Sequence, residues 1–301
     1  MGVLGHLIFG AYPVVAKRAI ADVPKFSLLF LGTSTTLLAS VWLIRRTDKR
    51  PWRKILSQIF QAQTLWILIF FVILRSVSNI LAVEMTRATW VQLIYLLTPF
   101  AVPILGALFF AEPTPRYTYR ALILSTIGAF LVLVTDWTDI FSGFTIQDFW
   151  GLVMATFSML TLATYFQLIH RNSRADISSG MIMFQQSLIL AITNLVLSLA
   201  TRENWGQWHT ASSTGLIYAL VFIFGIQVLG NIMQISAVGG ASPALITSLM
   251  PLRLLVTILL GSFILGEHLT QPWQWAGAVI VLVTVSGYLW LQSRSQFQVE
   301  P

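Results

Sequence analysis

The chain contains no cysteine, which excludes a disulfide framework, a thiolate metal site and a cysteine nucleophile. Charge is nearly as scarce. Only 10% of its 301 residues are Asp, Glu, Lys or Arg, where a soluble domain carries roughly 25%. So few charges cannot cover a surface that faces water all round, so lipid is the expected main solvent. Catalytic chemistry is thinly supplied. There are four histidines, no HExxH or GxSxG, and no GxxxxGK[ST] phosphate loop, so neither a metal or other cofactor nor ATP hydrolysis by this chain is expected. The net charge of +7 does not point to nucleic acid. The basic residues sit in short loops rather than along a groove interleaved with aromatics, and the positive-inside rule accounts for them.

What the sequence does have is apolar length. A helix that crosses the hydrocarbon core needs about 20 apolar residues at 1.5 Å rise each. Ten windows qualify or nearly so: Gly2–Ala19, Phe26–Ile44, Thr64–Val83, Thr89–Phe110, Tyr119–Trp137, Phe149–Ile169, Met181–Ala200, Thr214–Ile235, Ser242–Leu265 and Pro272–Leu291. The first run, Gly2 to Ala16, has neither a basic n-region nor a small-residue cleavage site and is expected to stay as a helix. The longest connection, Arg45 to Gln63, is polar and basic; Trp137 to Asp148 is polar and acidic.

Asn79–Phe100 and Asn231–Leu252 align at a constant offset of 152 with six of 22 positions identical, Asn79/Asn231 and Pro99/Pro251 among them. Further on, Gly106-x5-Glu112 matches Gly261-x5-Glu267 at an offset of 155. The fold class this predicts is an all-α integral membrane bundle of ten transmembrane helices arranged as two five-helix repeats, residues 1–137 and 138–301. Five is odd, so the second repeat enters the membrane inverted. Inverted repeats permit alternating access around a midplane site.

These residues carry a resemblance. Pro99 with Gly106-Ala-Leu-Phe-Phe-Ala-Glu112, Pro251 with Gly261-Ser-Phe-Ile-Leu-Gly-Glu267-His-Leu-Thr270, and Trp275-Ala-Gly-Ala-Val-Ile280 resemble the EamA-like branch of the drug/metabolite transporter superfamily. The resemblance implies a ten-helix permease with a central cavity that handles small organic metabolites, often for export. The first copy departs from the pattern, with Glu112-Pro-Thr-Pro where Glu-x-Leu-Thr is typical.

Polar groups at membrane depth need an explanation, since a central Arg costs roughly 2.5–3.5 kcal/mol on insertion scales. Arg75 falls in the middle of the third window and Arg253 in the middle of the ninth. Arg75 and Asn79 are four apart and share a helix face. The 152 offset places Gln227 and Asn231 at the equivalent positions of the eighth window, with Gln234 three further on. Two matching polar stripes suit a central solute site; the competing reading is hydrogen bonding that glues helices together. Arg253, two residues after Pro251, could clamp a carboxylate together with Arg75, or could bond carbonyls freed beside the proline. Tyr95, with Trp90 and Gln92 on the fourth window and Tyr12 and His6 on the first, could supply walls. Gln185 and Gln186 cannot both face one cavity. The candidate substrate-binding residues are therefore Arg75, Asn79, Tyr95, Gln227, Asn231 and Arg253. Glu112 and Glu267 read as structural caps.

The expected function is secondary transport, with export the favoured direction, of small organic metabolites such as amino acids or other carboxylated solutes. The alternatives are an intramembrane enzyme or a receptor or scaffold without transport. The expected partners are the solute and the bilayer, with a homo-oligomer compatible. Placing both termini in the cytoplasm of a plasma or inner membrane puts eleven Lys and Arg inside and five outside. The cysteine-free chain makes this testable. Single cysteines at positions 50 and 139 should be shielded and labelled, respectively, by an impermeant maleimide on intact cells; the reverse pattern overturns the orientation.

Overall fold

The computed structural model describes residues 2–47, 50–61, 63–110, 117–134, 144–174, 178–240 and 249–297. Every regular element among the described residues is helical: α1 (Gly2–Ile20), α2 (Lys25–Thr47), α3 (Trp52–Gln61), α4 (Gln63–Met85), α5 (Ala88–Tyr95), α6 (Thr98–Phe110) and α7 (Thr118–Leu133). The chain continues with α8 (Ile146–Arg174), α9 (Ser179–Ala200), the short α10 (Gln207–Thr210) and α11 (Ser213–Leu220). A π-helical stretch, Val221–Gly230, joins α11 to α12 (Asn231–Gly240); α13 (Met250–Leu260) ends in a π turn at Gly261–Leu265, and α14 spans Pro272–Phe297. In hydrocarbon the backbone must satisfy its own hydrogen bonds, and helices do this within one segment.

Among the described residues, seven helices are long and apolar enough to cross a membrane, and α5 with α6 makes an eighth as one broken span. The apolar helices Thr118–Leu133 and Met250–Leu265 are shorter. The window predicted as one helix, Thr89–Phe110, is bent by 42° between its two pieces. Pro99 causes the break, because it has no N–H to give to the Tyr95 carbonyl four residues back. The Thr98 hydroxyl donates to that carbonyl instead, at 2.5 Å. The connection predicted from Arg45 to Gln63 also differs. The first helix of that region runs on through Arg45 and Arg46, and α3 follows it as an amphipathic helix whose Ile55 is buried while Arg53 and Lys54 are exposed. Charge had suggested a loop, but 3.6-residue spacing gives this segment an apolar face.

The bundle is apolar outside and partly polar within. Along α14, Trp275, Val279, Val283 and Trp290 are exposed, spaced to lie on one face towards lipid. Buried groups include Gln92, Gln186, Asn231, Gln234 and Arg253. The main helix pairs are α4 with α8, α2 with α9, α7 with α14 and α1 with α13. Two of these pairs run antiparallel. In α2 and α9, Phe26 and Ser27 donate backbone N–H to Glu203 just past the end of α9, while a Cβ on Gly180 at its start would touch Ile44 near the end of α2. In α7 and α14, Thr118 meets Tyr288 and Gln274 donates to the Val132 carbonyl.

One end of the bundle is tied by side chains reaching between elements. Glu203 caps α2, accepting from Phe26 and Ser27 at 2.9 Å each. Glu267 accepts from the Ala88 and Thr89 amides of α5 at 2.9 and 3.0 Å. A carboxylate on two free amides at a helix N-terminus also meets the positive end of the helix dipole. Gly266 makes this possible by turning the chain at φ 68°, in the left-handed region. The reading of Glu267 as a cap therefore fits, although the helix it caps is a distant one; Glu112 lies outside the described residues, as do Asp136 and Asp139.

Helices α7 and α14 cross closely, and a Cβ on Gly277 would lie 2.5 Å from the Gly128 carbonyl oxygen. Gly287, on the same helix, has nothing within 4 Å of such an atom. Gly277→Ala should therefore destabilise the purified protein by about 1–3 kcal/mol, while Gly287→Ala leaves thermal unfolding in detergent unchanged or slightly raised. Equal melting points for the two variants would contradict this crossing.

Candidate functional site

A cavity with about 820 Å³ of empty space, part of it open to solvent, lies among α1, α2, α4, α5, α8, α9, the α11–α12 span and α13. All six candidate residues, Arg75, Asn79, Tyr95, Gln227, Asn231 and Arg253, line it.

Arg253 sits in the first turn of α13, two residues after Pro251, and is only 5% exposed. Three neighbours on α1 position it. His6 Nδ1 accepts from its Nε at 2.9 Å, which requires that ring nitrogen to be unprotonated. The guanidinium carbon lies 5.0 Å from the centre of the Phe9 ring, a cation–π arrangement. Gly10 lets the helices approach, since a Cβ there would sit 2.9 Å from Arg253 backbone atoms. Thr257 bolts the crossing, with its hydroxyl 2.5 Å from the Gly10 carbonyl and 2.9 Å from the Arg253 carbonyl. The Nη2 of Arg253 is buried and has no hydrogen-bond partner.

Arg75, in mid-α4, stands with its guanidinium 4.5 Å from the centre of the Tyr165 ring on α8. The Tyr165 hydroxyl donates to Gln186 Oε1 at 3.1 Å, so ring and amide are held together. Tyr95 is fixed by a relay: Ser158 Oγ donates to the Arg75 carbonyl at 3.0 Å and accepts from the Tyr95 hydroxyl at 2.5 Å. The Tyr95 proton is thus used within the bundle, and its ring serves as a wall.

The second polar stripe is built differently from the first. Gln227 lies in the π-helical stretch, and its carbonyl accepts from Asn231 Nδ2 at 2.6 Å and from Thr36 Oγ1 at 3.0 Å. π segments offset the backbone ladder and recur at functional sites. On the first stripe, Asn79 Oδ1 is buried without a partner, as are Gln92 Nε2 and Gln234 Nε2, all on residues lining the cavity. Buried polar atoms of this kind are few in native proteins and mark places where water or ligand completes the bonding.

The remaining sequence candidates divide. Tyr12, Gln92 and Gln186 line the cavity. Gln185 is buried but not part of the wall, so the pair splits as their adjacency required. His6 is not a wall residue; it holds Arg253 from behind. Trp90 is turned elsewhere, stacked on Phe144 at 6.0 Å with the Arg87 guanidinium 4.8 Å from its ring. Thr33, Thr36, Ser76 and Ser187 also line the cavity and were missed, because small hydroxyl residues are ordinary inside membrane helices. Thr33 and Thr36 share a face of α2 by their spacing, which was the available signal.

The fold and cavity define a multi-pass helical membrane protein with a polar chamber between its helices. Residues 1–134, which end with the last turn of α7, match the EamA-like transporter family. The resemblance carried by Gly106–Glu112 therefore holds over that part of the chain, consistent with the drug/metabolite transporter superfamily; the second copy, Gly261–Glu267, lies beyond the matched residues. A solved crystal structure is similar over 97% of this chain and 96% of its own, with a TM-score of 0.65 and 13% identity; at that identity the likeness concerns the fold alone. No curated protein matches.

Proposed function

We propose that this protein is a secondary transporter for small organic metabolites, amino acids or other carboxylated solutes, working by alternating access around the cavity. The observation that carries the proposal is Arg253: a guanidinium 5% exposed at the wall of a cavity, with Nη2 lacking a partner. A buried donor left unsatisfied costs about 1–3 kcal/mol, more when charged, and an oxyanion in the cavity would remove that cost. Arg75, Asn79, Gln227 and Asn231 would complete the polar contacts, and Tyr95 would bound the solute's apolar part. The match of residues 1–134 to a transporter family supports this reading over an enzyme or a scaffold.

The ten-span arrangement belongs to the same proposal, with residues 1–137 and 138–301 as inverted halves. In that scheme α2 and α9 are equivalent, as are α7 and α14. Equivalent helices of inverted repeats must run in opposite directions, and both pairs do. Packing between halves is matched too: α4 on α8 has its counterpart in α1 on the α11–α12 span, and α1 on α13 in α8 on α5 and α6. Both termini would lie in the cytoplasm of a plasma or inner membrane, with export the favoured direction.

Replacing Arg75 or Arg253 with Gln keeps hydrogen bonding and deletes charge. Each change should lose about 1.5–3 kcal/mol of solute binding, on the order of tenfold to a hundredfold in affinity. Asn79→Ala and Asn231→Ala should cost less. Counterflow in proteoliposomes, run on a panel of carboxylated solutes with thermal unfolding alongside, measures both. Unchanged affinity in both Arg variants removes the clamp; lost folding with lost flux makes the Arg residues structural.

A further inference from the structure

Among the described residues, the cavity wall carries two guanidiniums and no carboxylate. The described carboxylates are all at helix ends and already engaged. Glu203 and Glu267 cap helices, Glu84 pairs with Lys25 at 2.5 Å, Asp148 accepts from Thr86 at 2.7 Å, and Asp22 accepts from Ser212. His6, the nearest partner of Arg253, meets it through an unprotonated nitrogen and brings no negative charge. The chamber itself is therefore doubly positive when empty.

We infer, on the transporter reading above, that within that solute class the cavity takes those of net negative charge, excludes net-neutral zwitterions and so most amino acids, and works as an obligatory anion exchanger. A zwitterionic amino acid would satisfy Arg253 with its carboxylate, but its ammonium would then share a chamber with two guanidiniums and no acid. A neutral acceptor such as Asn79 Oδ1 can bond that ammonium without cancelling its charge. A net anion meets only complementary groups. The same charge governs the return step. Passing the site between the two membrane faces requires an intermediate sealed from water, where two uncompensated cations are strongly disfavoured. Reorientation is fast when a bound anion offsets the site's charge and slow when the site is empty, so efflux of one anion requires entry of another.

The test uses the purified full chain in proteoliposomes, with the membrane potential clamped by valinomycin and potassium so that charge build-up does not limit flux. Vesicles are loaded in turn with labelled lactate, succinate, glycerol 3-phosphate or alanine. Efflux is then followed into medium lacking small organic anions, or into medium containing the same solute unlabelled. At least one of the three anions should leave at least tenfold faster into the matching solute, and alanine should not move in either medium. Equal efflux into both media overturns the exchange inference and leaves the transport reading standing. Alanine exchanging as fast as the best anion overturns the charge selectivity. No movement of any solute removes the transport reading and this inference with it.

Discussion

A guanidinium held in a bundle whose solvent is hydrocarbon, with no carboxylate beside it among the described residues, is the constraint on which the rest of the structure depends. Charge at that depth persists only where it is paired, solvated by a cavity, or spread over aromatic faces. Arg253 has the last two. Much of the α1–α13 crossing reads as support for it: Gly10 for close approach, Thr257 as the bolt between the two backbones, Phe9 beneath the guanidinium and His6 at Nε. Arg75 follows the same logic on α4, against the Tyr165 ring. Nothing in this arrangement neutralises charge, and that is why its completion is expected from a solute.

The two stretches that align at the 152-residue offset use related sequence to different local ends. Asn79 and Asn231 occupy equivalent positions, yet Asn79 Oδ1 is left unpartnered while Asn231 is folded back on the Gln227 carbonyl. The π-helical stretch around Gln227 accounts for the difference, since it presents a carbonyl that Thr36 and Asn231 both reach. The tied end of the bundle is similarly directional. Glu203, Glu267, Lys25–Glu84 and Thr86–Asp148 join elements far apart in sequence at the ends of α2, α5, α4 and α8. Any alternation of access would have to loosen this polar seam.

Much of the cavity was legible because an isolated charge in an apolar window is unusual and because the 152-residue offset aligned two polar stripes. Arg75, Asn79, Gln227, Asn231 and Arg253 all came from those two signals. What could not be read is the context that only packing supplies. The bond from Arg253 to His6 spans 247 residues, and nothing local links them. Trp90 shares a helix with Tyr95 but points to Phe144, which period alone does not decide. The break at Tyr95–Thr98 was implicit in Pro99, though apolar length hid it. Helix α3 was hidden by its charges, which line the face opposite Ile55.

The central claim, that the cavity holds uncompensated positive charge, can be measured directly in a chain with no cysteine. Ser76 lines the cavity, and Ser76→Cys places one thiol there with little change in size. Its rates of reaction with an anionic and a cationic methanethiosulfonate, each divided by the rate for a simple thiol in solution, report the local potential. The account predicts a clear preference for the anionic reagent that falls when Arg253→Gln is added. Preference for the cationic reagent, or a ratio indifferent to Arg253→Gln, would contradict it.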